Sequence, residues 1–140
     1  MNPTQLSWLT AADAARVLRD GAISCEDLVA ACLARIREVD GEIQAWAHLD
    51  AQHALAQARF LDQMRRSGEV LGPLHGVPVG IKDIIDTADL PTECGSGIHS
   101  GRLPVHDAAV VAMLRAAGAV IMGKTVTTEF AVYTPGKTRN

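Results

Sequence analysis

Basic clusters are missing from this chain. Its 13 lysines and arginines are outnumbered by 16 aspartates and glutamates, for a formal net charge of -3. That balance, with no run of basic residues, excludes a nucleic-acid surface. No apolar run approaches the roughly 20 residues a membrane span needs. The opening Met1-Asn-Pro-Thr-Gln5 lacks the charged and apolar regions of a signal peptide. Cysteine is scarce: Cys25, Cys32 and Cys94 make an odd number with no Cys-x-x-Cys pair. Free thiols in a reducing cytoplasm fit that count. His48, His53, His75, His99 and His106 show no zinc-helix spacing. They read as surface or loop histidines, and no metal site is expected. No internal repeat or low-complexity segment is present.

What remains is the composition of a globular protein, 48% hydrophobic and 21% charged over 140 residues. A chain of that length is the size of one domain and buries about two thirds of its unfolded surface. Thr10 caps a short first helix to Arg19, with Asp13 in its first turn and Gly21 ending it. Ser24 opens a second helix, in which Leu28, Cys32, Ile36 and Val39 recur at helical spacing. Cys25 and Cys32 lie seven apart on nearly one face and read as core packing. Ile43 to Leu49 alternates as a short strand. Asp50 caps a third helix to about Arg66, with Leu55, Ala58, Leu61 and Met64 as its apolar stripe.

Gly72-Pro-Leu-His-Gly-Val-Pro-Val-Gly-Ile-Lys-Asp-Ile-Ile-Asp86 organises the second half. Val77 to Lys82 is a strand whose proline points to an edge position or a strand start. Residues 86 to 104 form a long loop, and loops of that length are usually functional. Asp107 caps a helix to Ala117, Gly118 closes it, and Ala119 to Met122 is an apolar strand. Thr125 to Tyr133 begins another helical turn. The fold class expected is α/β: N-terminal helices over residues 1–70, then over 71–140 the first strands of a mixed sheet covered by helices.

Lys82 is the residue with chemistry in it, because an ammonium among Val77, Val79, Ile81, Ile84 and Ile85 is costly to bury. Two readings stand. Lys82 either points out of a half-buried strand or pairs with Asp83, or burial lowers its pKa until it serves as a base. Three rival motifs are weaker. Gly118-Ala-Val-Ile-Met-Gly-Lys-Thr125 matches a P-loop in letters, but a helix precedes it and its middle is a strand, where a P-loop needs the reverse. Gly95-Ser-Gly-Ile-His-Ser-Gly101 is one residue too long for a dinucleotide fingerprint and has no strand before it. Cys94 with His99 or His106 would make a Cys–His pair, and a lone loop cysteine argues poorly for one. Ser96 and Ser100 lack a nucleophile elbow and suit hydrogen bonding within a Gly-rich turn.

Taken in order, Pro73-Leu-His-Gly-Val-Pro-Val-Gly-Ile-Lys-Asp83, Leu90-Pro-Thr-Glu-Cys-Gly-Ser96, Ala108-Ala-Val-Val-Ala-Met-Leu-Arg-Ala-Ala-Gly118 and Gly123-Lys-Thr125 resemble the N-terminal part of the amidase signature family. These are serine amidohydrolases with a Ser–cis-Ser–Lys triad. The resemblance implies that Lys82 is the triad lysine, neutral in the active enzyme. It would draw a proton through a bridging serine from the serine that attacks the amide. Asp83, Gly95 and Ser96 are supporting candidates, and glycine-rich backbone N–H groups would hold the oxyanion. The family places both serines in a Gly/Ser-rich segment further on, and residues 125–140 contain no serine. The isolated chain is therefore expected to be inactive, as the N-terminal portion of a single amidase domain.

Within the family the sequence is similar first to malonamidase-like bacterial enzymes, whereas the A subunits of amidotransferases match more loosely. The implied reaction converts a small aliphatic amide to carboxylate and ammonia. It needs no cofactor, involves neither nucleic acid nor membrane, and leaves a homodimer open. The alternatives are a truncated non-catalytic binding module or an amidotransferase A-subunit-like protein.

Overall fold

Side-chain caps decide where the helices begin. In the computed structural model, which describes residues 2–139, α1 spans Pro3–Leu6 and α2 spans Ala11–Arg19. The Thr10 hydroxyl accepts from Asp13 N at the start of α2. α3, Cys25–Ile43, opens on a capping box: Ser24 Oγ accepts from Asp27 N, and the Asp27 carboxylate accepts from Ser24 N. Such reciprocal pairs satisfy two donors that a helix end leaves orphaned. Asp50 caps α4, Ala51–Arg66, by accepting from His53 N at 2.9 Å.

The last helix, α5, Ala109–Ala116, departs from expectation. Its N-cap is Ala108, with no side-chain cap. Asp107 is engaged elsewhere, accepting from Ala88 N at 2.8 Å and from Arg115 Nε at 2.9 Å. A cationic donor holds a carboxylate more strongly than a neutral helix N–H does.

Three strands complete the fold: β1 Trp46–Leu49, β2 Pro78–Lys82 and β3 Val120–Thr125, in the order β1-β3-β2. β3 is central. It pairs antiparallel with β1 and parallel with β2. The parallel pair requires a crossover, which the long loop and α5 supply. Pro78 stands at the first position of the edge strand β2, where its missing N–H costs least. The architecture is thus α/β with a mixed sheet, as the sequence implies. β3 runs three residues beyond the expected Met122, and among the described residues a 3₁₀ turn, Glu129–Ala131, is the one element that follows it.

Two apolar clusters flank the sheet. Leu18, Leu28, Val29, Leu33, Ala54 and Ala58 from α2, α3 and α4 close on Val77, Val120 and Met122. Val111 of α5 closes on Ile81, Leu90 and Ile121. The split of Val120 and Met122 from Ile121 is the two-residue period of a strand.

The seam of α4 is centred on Ala54, Ala58 and Asp62, all buried. The buried aspartate was not expected there. Its carboxylate accepts from Cys25 N at 2.8 Å and Glu26 N at 3.1 Å, satisfying the first turn of α3. Cys25 lies in the core as expected, and burial with the nearby Asp62 pushes its thiol up to about 12. That thiol is inert. His75 corrects the expectation of surface histidines: it is buried, with Nε2 3.6 Å from Cys25 Sγ, and burial lowers its pKa.

Candidate active site

The carboxyl ends of β2 and β3 lie side by side, with Lys82 paired to Thr125. Next to them is a cleft of about 340 Å³, lined among others by Ala47, Asp83, Glu93, Gly95, Ser96 and Thr127. Clefts at the carboxyl ends of parallel strands are where α/β sheets usually bind ligands.

Lys82 is exposed. Among the described residues its ammonium has no hydrogen-bond or ion-pair partner. Of the two readings of Lys82, this structure shows the side chain that points out of a half-buried strand, with neither burial nor a pair with Asp83. Strand alternation is the reason: Ile81 and Asp83 turn inward, and Gly80 and Lys82 turn out.

Asp83 is 2% exposed and fully engaged. It accepts from Glu93 N at 3.1 Å and Gly95 N at 3.4 Å, and lies 3.7 Å from Lys124 Nζ. Gly95, at φ +62°, could carry a Cβ only at 3.0 Å from Thr127 O, so the turn needs glycine there. Ser96 Oγ donates to Glu129 Oε1 at 2.6 Å and caps the turn Gly97–His99. That is the structural role expected of it. Asp83, Gly95 and Ser96 therefore meet in one wall of the cleft, with Lys82 beside it on the other side of the strand.

Lys124 is the residue that sequence reasoning missed. It stood in the letters of the rejected P-loop, which here fall on the turn after α5 and on β3. Its side chain is completely buried. The ammonium donates to Ile85 O at 2.8 Å, to Pro91 O at 3.3 Å and to Thr92 Oγ1. Burial lowers its pKa, while Asp83 and Asp86 oppose the change. Cys94 has φ +56° and bonds to neither His99 nor His106 among the described residues. Its carbonyl instead accepts from Phe130 N, and His99 packs edge-on against Phe130.

Ion pairs fasten the long loop. Arg102 holds Asp86 through two bonds of 2.7 and 2.8 Å and lowers its pKa. Burial alone would raise Asp89, but His53 and Arg115 outweigh it and hold the carboxyl low. Glu93 is lowered by Gly101 N and by His48. A depressed carboxyl stabilises the fold above its unfolded pKa, and that contribution fades as pH falls through the folded value. The loop should therefore loosen below the ordinary aspartate value of 3.8. Hydrogen exchange at pH 6 and pH 3 measures this. Referred to the intrinsic exchange rate at each pH, the acid-induced loss of loop protection should shrink in Asp89→Asn, and an equal loss in both proteins contradicts the assignment.

Among the described residues, no group of three or more His, Cys, Asp or Glu could hold a metal ion, and no helix is long and apolar enough to cross a membrane.

The family model for amidases matches residues 27–139, most of the chain. The chain belongs to the amidase family. Among curated relatives, the A subunit of the glutamyl-tRNA(Gln) amidotransferase of Streptomyces coelicolor is 47% identical over 124 residues, covering 89% of this chain and 25% of its own. Its counterpart in Chloroflexus aggregans is 44% identical over 129 residues, covering 92% and 26%. This likeness is firmer than the looser match expected of amidotransferases. Among solved structures, the native peptide amidase of Stenotrophomonas maltophilia superposes with a TM-score of 0.82 at 36% identity, over 88% of this chain and 26% of its own. A crystal structure of an amidase superposes at 0.84 with 33% identity, over 94% and 31%. The chain spans about a quarter of the length of the curated relatives it matches.

Proposed function

We propose that the protein carrying this chain hydrolyses a small aliphatic amide in the cytoplasm, with Lys82 as the base. A serine oxygen adds at the carbonyl, the C–N bond breaks and ammonia leaves, and water then hydrolyses the resulting ester to the carboxylate and the free serine. The observation that carries the reading is the placement of Lys82 at the carboxyl end of β2, beside the cleft, in a chain of the amidase family. A base must carry a free electron pair, and desolvation favours the uncharged form of an amine. The reading therefore requires the remainder of the protein to cover it. It also assigns the attacking and bridging serines to sequence outside residues 1–140, so these residues alone are inactive.

A second reading follows from the 44 to 47% identity to amidotransferase subunits: the amide is cleaved only within a larger assembly that uses the ammonia. One assay separates the two. Ammonia release from short aliphatic amides by the full-length protein alone supports the hydrolase. Release that needs a second polypeptide favours the assembly, and no release in either setting defeats both.

A further inference from the structure

We propose that Lys124 is a positioning residue, whose buried ammonium holds the Glu93–Ser96 turn in place as a wall of the cleft. The proposal deepens the amidase reading, and its first test does not depend on that reading. An ammonium has three protons. Here three oxygens take them: Ile85 O, Pro91 O and Thr92 Oγ1. The countercharge is Asp83, at 3.7 Å. Lys124 thus draws the end of β2 and both sides of the following loop onto the central strand.

Asp83 passes that constraint to the turn. Its two oxygens accept from Glu93 N and Gly95 N. Those two N–H groups converge only because the residue between them, Cys94, sits at φ +56°. A non-glycine residue holds such a conformation only where its surroundings enforce it. Without Nζ, Asp83 is a buried carboxylate with no countercharge, which must protonate or swing toward water. Either change releases Gly95 N, and the turn can relax. Lys82 projects from the opposite side of the strand end, so Lys124 acts through the cleft wall and touches no reacting atom.

Cys94 reports on the turn directly, and Cys32 in α3 serves as the control for global unfolding. The experiment labels the full-length protein with a maleimide and follows Cys94 and Cys32 by peptide mass mapping. In Lys124→Met, labelling of Cys94 should accelerate about tenfold or more while Cys32 stays as in the wild type, as local opening demands. An unchanged Cys94 in a folded Lys124→Met overturns the proposal. Should Cys94 and Cys32 accelerate together, the variant has unfolded and Thr92→Val decides. That milder change removes one acceptor of three: faster Cys94 alone supports the clamp, and no change overturns it. In the full-length protein, Lys124→Met should lower kcat for amide cleavage about 10²-fold with KM little altered, the signature of a displaced wall. A variant with a released Cys94 and an unchanged kcat also overturns the proposal. A wild-type protein that cleaves no amide defeats the amidase reading, and the Cys94 rates still decide whether Lys124 holds the turn.

Discussion

Lys82→Ala in the full-length protein is expected to lower kcat/KM for amide cleavage by about 10²–10⁴-fold, the range for losing a general base. This part of the fold should keep its stability. The Lys82 side chain is exposed at the end of an edge strand and has no partner among the described residues. Measured on the 140-residue chain, where that side chain is exposed, the substitution should change stability by less than about 0.5 kcal/mol. Activity and stability are thereby separated, which a merely structural lysine would not allow. Lys82→Arg sharpens the test, because a guanidinium keeps its charge at any working pH and cannot serve as a base. Arginine should be as poor as alanine. Ammonia release that survives either change at the wild-type rate removes Lys82 from the chemistry.

The second large effect falls on the sheet. Gly123→Ala should cost about 3 kcal/mol, at the upper end for overpacking. A Cβ at Gly123 would meet His48 O at 2.3 Å, Leu49 Cα at 3.1 Å and Trp46 Cε3 at 3.1 Å. All three atoms belong to β1, and the closest is backbone that no rotamer change can move. β1 would have to part from β3 and lose the pairs Trp46–Thr125, His48–Lys124 and Leu49–Gly123. Gly97→Ala is the control, since nothing lies within 4 Å of a Cβ there. Urea titration of the 140-residue chain should show a much lower midpoint for Gly123→Ala and little change for Gly97→Ala. Equal midpoints would mean that β1 yields freely and contributes little.

The caps at Thr10, Ser24 and Asp50 were legible because each acts within three residues of its own position. Asp107 was not, because its partners Ala88 and Arg115 belong to other parts of the chain or sit eight residues on. The outward course of Lys82 was also in the sequence, in the two-residue period through Ile81, Lys82 and Asp83. It is the first of the two readings of Lys82, a side chain pointing out of a half-buried strand. Lys124 was hidden by a boundary: a strand ending at Met122 leaves it in the link before the turn expected from Thr125, whereas β3 continues to Thr125 and carries it inside. Asp62 and His75 were beyond reach for a simpler reason. Their partner Cys25 lies 37 and 50 residues away, and no local pattern reports a contact at that separation.

The central strand has a consequence for the order in which the protein forms. β1 and β2 are hydrogen-bonded to β3 and not to each other, and β3 is the last of the three in the chain. On the ribosome, α3 and α4 can pack before the later strands exist, since both partners of contacts such as Cys25 with Asp62 have been made by the end of α4. β1 must wait until some 70 further residues have been made, from Leu49 to Val120, and both earlier strands keep open edges until then. Contacts at such separations form slowly, and unpaired edges invite association with other chains. Synthesis past Thr125 is therefore the event that joins two idle strands into one three-stranded sheet.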